Sequence, residues 1–234
     1  MPFWRSKDEK KAEKTHECKD CKHDCDNCKK AAEEHDHHHH HHHGHVPGKE
    51  GSVMPSHMAN HLLHPGRRFL EPPRQFMKYI PKNNGVVLEI GPAQGFFTQY
   101  FARKASRYIA VDIQPEMIKG LEARMKEKKL TVETRVCTAT SLGVEDLEGI
   151  VDFIPVFLMF HEVPAAEKQH FADQLISCLK PKGTLVLTEP QHHVDAVRFA
   201  EEVAVFEKSG LKLVKKGMSG RLNQKRFMAE FTRD

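Results

Sequence analysis

A short segment with two glycines, Glu89-Ile90-Gly91-Pro92-Ala93-Gln94-Gly95, has the residue types of a ligand-binding turn. It lies between the apolar run GVVLEIG (85–91) and an amphipathic run at 95–106. Glycine at a strand-to-helix turn permits a tight bend and lets a ligand approach the backbone closely. Asp112 ends the next apolar run, 21 residues after Gly91, where a carboxylate can accept hydrogen bonds from ribose hydroxyls. The spacing therefore predicts a nucleoside-binding site at the ends of two strands.

A second segment that could do chemistry lies near the N-terminus, in the pattern Cys18-x2-Cys21-x3-Cys25-x2-Cys28. Four thiolates at this spacing can complete a tetrahedral site for an ion such as zinc, and imidazole suits zinc and nickel. Seven consecutive histidines follow, namely His37, His38, His39, His40, His41, His42 and His43. We therefore predict an arm that binds zinc or nickel. Disulfides between the cysteines and a purification tag as the source of the histidine run are the alternatives.

Polar side chains also follow the predicted fourth and fifth strands, at the functional edge of an open α/β sheet. We take His161 as the candidate catalytic base. Glu162 could orient it, but sequence neighbours rarely pair in this way, so we favour a helix-capping role for Glu162. His192 is left open. The group consists of His161, Glu162, Glu189, His192 and His193.

Apolar runs and helical periodicity alternate from residue 85 onward. Alternation of this kind predicts an α/β fold, a Rossmann-like three-layer sandwich around a mostly parallel sheet with right-handed crossovers. A helix is expected near 67–80, beginning at Pro72 and Pro73. The predicted strands are 85–91, 107–113, 130–136, 150–160 and 183–190, the predicted helices are 95–106, 115–128, 163–180 and 194–210, and the predicted terminal antiparallel pair is 211–217 with 223–233.

Composition divides the chain at about residue 56. Residues 1–56 are almost free of apolar side chains and are expected to be a disordered arm and linker, whereas 57–234 should form the folded domain. The net charge of +4 is interleaved by sign, which argues against a nucleic-acid or membrane partner. Neither a secretory signal nor an apolar run of about 20 residues is found. We therefore predict a cytoplasmic protein with reduced thiols, in which Cys137 and Cys178 are buried small hydrophobes.

The glycine turn and its surroundings resemble the class I S-adenosylmethionine-dependent methyltransferases. The segments that carry the resemblance are VVLEIGPAQGFFTQYFA, IAVDIQPEMI, FLMFHEVP and LKPKGTLVLTEP, which occur in the order and spacing of that family. They are similar to its small-molecule branch, which includes the ubiquinone and menaquinone biosynthesis methyltransferases. The resemblance implies seven strands, with the last one antiparallel. A dinucleotide-binding site is disfavoured because Phe96 stands where G-x-G-x-x-G has its third glycine.

The resemblance also implies residue roles in binding S-adenosylmethionine. Glu89 would contact the amino group of the methionine moiety, while Gly91 and Gly95 let the backbone approach that moiety. Ala93 occupies the middle position of the glycine motif. Asp112 would bind the ribose hydroxyls. The remaining positions are Ile113 against the adenine, Thr138 where relatives often carry an acid that contacts the adenine amino group, and Phe157 near the sulfonium.

Two functions follow from these patterns. The first is methyl transfer from S-adenosylmethionine to a small-molecule acceptor, with an arm that binds metal ions and could serve a metalloprotein client. The second is metal storage or metal delivery, with the methyltransferase-like domain as a scaffold of little activity. Methyl transfer needs orientation of the acceptor more than a shared set of catalytic residues, so the sequence does not identify the acceptor.

Overall fold

The computed structural model describes residues 51–56, 63–221 and 225–234, all of which belong to the second of the chain's two units, His43–Asp234. Within those residues seven strands form one sheet in the order β3-β2-β1-β4-β5-β7-β6. The strands are β1 Val86–Ile90, β2 Arg107–Asp112, β3 Glu133–Val136, β4 Val151–Phe157, β5 Leu179–Pro190, β6 Lys212–Ser219 and β7 Arg226–Thr232. The α-helices are α1 Arg67–Leu70, α2 Thr98–Phe101, α3 Pro115–Glu127, α4 Ala165–Cys178 and α5 Ala196–Lys208.

The predicted mostly parallel sheet is confirmed, and its last strand is antiparallel as expected. Strands β1 to β5 pair in parallel, and β7 pairs antiparallel with both β5 and β6. The last strand therefore inserts between β5 and β6 and does not lie at the edge. The strand order reverses between β1 and β4, and ligands of open α/β sheets bind beside such a switch point, outside the carboxyl ends of the strands.

Two hydrophobic clusters fill the two faces of the sheet. One joins Leu88 and Ile90 of β1 to α4 and α5, and the other joins Val87 to α2 and α3. Side chains of successive strand residues point to opposite faces, so the continuous apolar runs supply both clusters. Glu89 is the exception in β1, because it is a buried carboxyl on the α2 and α3 face.

The first two predicted helices are shorter than expected. In place of the helix near 67–80, α1 ends at Leu70, and two short 3-10 turns follow at Pro73–Gln75 and Met77–Tyr79. Pro72 and Pro73 lack the backbone N–H that would continue a helix, and they hold the residue before them outside the helical region. The helix expected at 95–106 is regular only in α2, with turns on either side.

Gly95 allows the turn after β1 to pack against α3. Its φ is +84°, and a Cβ there would lie 2.5 Å from Leu121 Cδ1 and 3.0 Å from Met125 Cε. Both neighbours belong to the buried cluster on that face. Glycine is thus required by the backbone conformation and by close helix packing.

Replacing Gly95 with alanine should lower the free energy of unfolding by about 2–4 kcal/mol, because overpacking adds to left-handed backbone strain. Gly149→Ala is the matched control, since φ is +63° there but nothing lies within 4 Å of a new Cβ. The control should lose only about 1–2 kcal/mol, the cost of the backbone strain. Urea unfolding of both variants measures the difference. Equal losses would contradict the packing role of Gly95.

Candidate functional site

One large cavity opens at the carboxyl ends of β1, β2, β4 and β5. Its volume is about 580 Å³, within the range of about 300–1,000 Å³ typical of small-molecule sites. Most of the side chains predicted to bind the ligand border it. They are Glu89, Gly91, Ala93, Asp112, Ile113, Thr138, Phe157 and His161. Gly95 does not line the cavity, because its open side is filled by α3.

The turn after β1 brings backbone to the cavity wall in an unusual conformation. Gly91 has φ +65° and donates its N–H to the Val111 carbonyl at 2.9 Å, which ties the turn to β2. Ala93 also has a positive φ, +49°. A non-glycine residue in this region costs about 1–2 kcal/mol, so the surrounding contacts hold the turn in place.

Glu89 presents a buried carboxyl group to this cavity. Its Oε2 accepts hydrogen bonds from the Thr98 hydroxyl and, at 2.7 Å, from the Tyr108 hydroxyl. Burial raises the pKa of Glu89 to about 7, against the opposing effect of these two donors. A carboxyl group that resists ionisation in this way gains most from a cationic ligand.

Asp112 lies at the end of β2, next to the turn. Its Oδ1 accepts a hydrogen bond from the Gln114 backbone N–H at 2.9 Å, and burial raises its pKa to about 6. The neighbouring Ile113 side chain is 40% exposed and forms an apolar surface at the rim. The end of β2 thus places a hydrogen-bond acceptor beside an apolar surface at the cavity.

Thr138 borders the cavity on the far side of β2. Its hydroxyl accepts a hydrogen bond from the Ser141 N–H at 3.0 Å, so this side chain closes a local turn.

Cys137 was expected to be buried but is only half-buried and lines the cavity, whereas Cys178 is fully buried as predicted.

Aromatic rings form the wall beyond the end of β4. The Phe157 ring lies 4.5 Å from that of Phe76 and 4.8 Å from that of Phe97, centroid to centroid. The Arg67 guanidinium lies 4.3 Å above the Phe96 ring. Glu71 binds this arginine at 2.6 Å and also pairs with Arg226. The wall therefore carries two cations and one anion on an apolar base.

His161 is buried, and its partner is Glu189 at the end of β5. His161 Nδ1 lies 2.5 Å from Glu189 Oε2, and the His161 backbone N–H donates to Glu189 Oε1 at 3.2 Å. Burial lowers the pKa of His161 to about 4 and raises that of Glu189 to about 8. The sequence identified both residues but not the pairing, because 28 positions separate them and parallel pairing of β4 with β5 brings their ends together.

The loop after β5 extends this pair towards the cavity. His193 Nδ1 lies 3.3 Å from His161 Nε2, and both rings border the cavity. His192 lies beside His193, with 4.2 Å between ring centroids. Glu189, His161 and His193 thus form one hydrogen-bonded chain that runs from the core to the cavity.

Residues 51–56 cross the mouth of the cavity. The Gly51 N–H donates to the Glu162 carbonyl at 2.7 Å, and the Gln114 side-chain amide donates to the Met54 carbonyl at 2.9 Å. The Met54 N–H also binds the Glu162 carboxyl group, whose pKa burial raises to about 7. Glu162 therefore holds this crossing segment, which the sequence analysis had assigned to the linker.

The predicted metal ligands, Cys18 to Cys28 and His37 to His43, lie outside the described residues. Among the residues that are described, no group of three or more histidine, cysteine or carboxyl side chains is placed to hold a metal ion. Within the same ranges, no helix has both the length and the apolar composition needed to cross a bilayer.

Comparison with known proteins agrees with this geometry. A family described as "Methyltransferase domain" matches residues 87–183. The chain is 30% identical over 96 residues to a ribosomal RNA small subunit methyltransferase A of Mycoplasma mobile, covering 40% of this chain and 38% of that protein. It is 29% identical over 102 residues to a ubiquinone biosynthesis O-methyltransferase of Xanthomonas campestris, covering 44% and 41%. The matched part is thus about two fifths of each curated relative.

Solved structures share the fold. A methyltransferase from Aquifex aeolicus described as S-adenosylmethionine-dependent superposes with a TM-score of 0.68 at 20% identity, over 78% of this chain and all of that one. An N-methyltransferase from Bradyrhizobium japonicum in complex with S-adenosylhomocysteine gives 0.57 at 18% identity, over 76% and 97%. The sheet order and the glycine turn agree with the match of residues 87–183 to a methyltransferase-domain family, and the chain shares the fold of these solved methyltransferases.

Proposed function

We propose that this protein transfers a methyl group from S-adenosylmethionine to a small-molecule acceptor. The observation that carries the proposal is the pair of buried carboxyl groups, Glu89 and Asp112, which face one cavity on either side of the Gly91 turn. When bound, S-adenosylmethionine supplies a methyl group that is activated by the positive charge of its sulfonium.

The residues of the cavity fit this ligand at both of its polar ends. Glu89 offers a carboxylate to an ammonium group, and the positive charge compensates for burial of the acid. Asp112 can accept from two ribose hydroxyls, with Ile113 against the adenine ring. Gly51, Val53 and Met54 add a wall to the cavity, fixed by backbone hydrogen bonds to Glu162 and Gln114.

The acceptor side of the cavity favours a small molecule. Its walls are aromatic and aliphatic, with Phe157, Leu63 and Met159 among the lining residues. One curated relative is named for ubiquinone biosynthesis and another for ribosomal RNA. An RNA-binding surface should be strongly basic, whereas this chain carries a net charge of only +4. We therefore favour an acceptor of the first kind.

We also propose that the N-terminal arm binds zinc or nickel through Cys18, Cys21, Cys25 and Cys28 and through the histidine run. Support for this comes from the spacing of the ligands in the sequence. A metalloprotein client of the arm belongs to the same proposal. The alternative of an inert scaffold is less favoured, because burying carboxyl groups around a cavity costs free energy that a bound ligand would offset.

S-adenosylmethionine should bind more tightly as the pH rises from 6 to 8. Glu89 and Asp112 have pKa values of about 7 and 6 in the free protein, and both must ionise to accept hydrogen bonds from the ligand. From pH 6 to pH 8 the ionised fraction rises about tenfold for Glu89 and about twofold for Asp112, so about twentyfold tightening is expected across this range. Calorimetry in buffers of different ionisation enthalpy should also detect proton release.

The same titration tests Asp112 directly. Asp112→Asn should weaken binding about 10- to 100-fold, since hydrogen bonds to a charged group contribute about 1.5–3 kcal/mol. Glu116→Gln, which changes an exposed acid nearby on α3, is the matched control and should leave the affinity within about twofold. Absence of binding to the folded wild type would refute the proposed function.

Metal binding by the arm can be measured by competition with a chromophoric chelator. The full chain should take up zinc, and replacing Cys18, Cys21, Cys25 and Cys28 together with serine should remove the tightest site. Cys137→Ser controls for general loss of a thiol and should retain that site. Unchanged zinc uptake by the fourfold variant would contradict the cysteine site.

A further inference from the structure

Glu189 alone could hold the loop after β4, but it also belongs to a hydrogen-bonded chain with His161 and His193. Glu189 already caps that loop by accepting the backbone N–H groups of Phe160 and His161. Its second oxygen contacts the His161 ring, which in turn contacts His193 at the cavity. A carboxyl group, two imidazoles and a cavity in series form a path along which a proton can move.

Charged residues of α4 and α5 lie behind the hydrogen-bonded side chains of Glu189, His161 and His193. Arg198 of α5 donates to the His161 carbonyl at 2.7 Å, and Lys168 of α4 binds Glu202 of α5 at 2.9 Å. These three groups contribute charges of both signs next to His161 and Glu189. A proton that moves along this path can therefore end on Glu189, because burial favours the neutral form of its carboxyl group.

The hydrogen-bonded side chains of His161 and His193 lie on the side of the cavity where we expect the methyl acceptor. Gly91 and Asp112 lie at the ends of β1 and β2, whereas His161 and His193 follow β4 and β5, across the switch point. The wall nearby carries the guanidinium groups of Arg67 and Arg226, which both pair with the carboxyl group of Glu71. Guanidinium groups beside the acceptor suit a developing oxyanion better than an ammonium group.

We propose that the chain of His193, His161 and Glu189 accepts the proton of a weakly acidic hydroxyl, so that the acceptor is a phenol-like molecule methylated on oxygen. This inference rests on the proposed function. In the step, the acceptor oxygen forms a bond to the methyl carbon while the bond from that carbon to sulfur breaks. The hydroxyl proton enters the hydrogen-bonded chain at His193, and successive transfers through His161 deliver one proton to Glu189, which is ionised at the start of the step. The other product is the neutral thioether.

Glu189→Gln separates proton transfer from structural support. The glutamine oxygen can still cap the loop and its amide can still donate to His161, but it cannot take up a proton. Glu189 is fully buried, so His193→Gln, at the half-buried end of the chain, serves as a second variant. His192→Gln is the matched control, because it changes a neighbouring imidazole outside the chain.

The experiment uses the full chain with radiolabelled S-adenosylmethionine and three acceptors: 4-methylphenol, the more acidic 4-nitrophenol and benzylamine. Glu189→Gln and His193→Gln should each slow methylation of 4-methylphenol by about 10²- to 10⁴-fold, the usual contribution of a general base. Loss with 4-nitrophenol should be less than about tenfold, because that acceptor ionises without help. The wild-type rate with 4-methylphenol should rise with pH and level off near the pKa of Glu189, about 8.

A readout without turnover completes the test. Proton NMR of the ligand-free wild type should show a far-downfield imidazole N–H signal from the short contact between His161 and Glu189, absent in Glu189→Gln and kept in His192→Gln. Equal loss with both phenols would show a purely structural role and overturn the inference. Methylation of benzylamine alone, or of none of the three while S-adenosylhomocysteine binds by calorimetry, would also overturn it. Failure of S-adenosylhomocysteine to bind would instead refute the proposed function.

Discussion

Burial of carboxyl groups at one edge of the sheet is the constraint on which the site depends. Glu89, Asp112, Glu162 and Glu189 all border the cavity or reach it through a partner, and burial raises their pKa values to about 7, 6, 7 and 8. Each shift reflects a free-energy cost of keeping the ionised form out of water. Hydrogen-bond donors offset part of that cost in every case, and the same donors set the geometry of the cavity.

The four acids divide the cavity into two halves. Glu89 and Asp112 lie on the β1 and β2 side, where a cationic, ribose-containing ligand would stabilise their ionised forms. Glu189 lies on the β5 side, where its neutral form is favoured and a proton can be stored. Glu162 holds the segment 51–56 across the opening between them. A bound ligand would thus favour ionised carboxyl groups on one side of the switch point, whereas burial favours a neutral carboxyl group on the other side.

Much of this arrangement follows from local sequence. The strands β1 and β2, the Gly91 turn and the acid at Asp112 are all encoded within about 30 residues, where apolar periodicity and glycine placement are informative. Gly95 shows the limit of local reasoning, because the same glycine would serve ligand approach or helix packing, and only the contact with Leu121 distinguishes the two. The short α2 was not anticipated either, since turns on either side preserve the apolar spacing of a longer helix.

Pairing between distant residues could not be predicted. The sequence disfavoured the adjacent Glu162 as the partner of His161 but indicated no other, and the register between β4 and β5 brings Glu189 to it. Likewise nothing in the composition of 51–56 indicates that it covers a cavity, because its contacts are made by backbone groups of Gly51 and Met54. Such contacts depend on the path of the chain and carry no side-chain signature.

The most direct test of the account is hydrogen–deuterium exchange of the full chain with and without S-adenosylhomocysteine. Binding at the carboxyl edge should slow exchange in residues 91–97, in 112–114 and in the covering segment 51–56, while β6 remains unchanged. Protection confined to those segments would establish that the ligand lies between the two buried carboxyl groups. Binding without protection at 91–97 and 112–114 would place the ligand elsewhere and contradict the central claim.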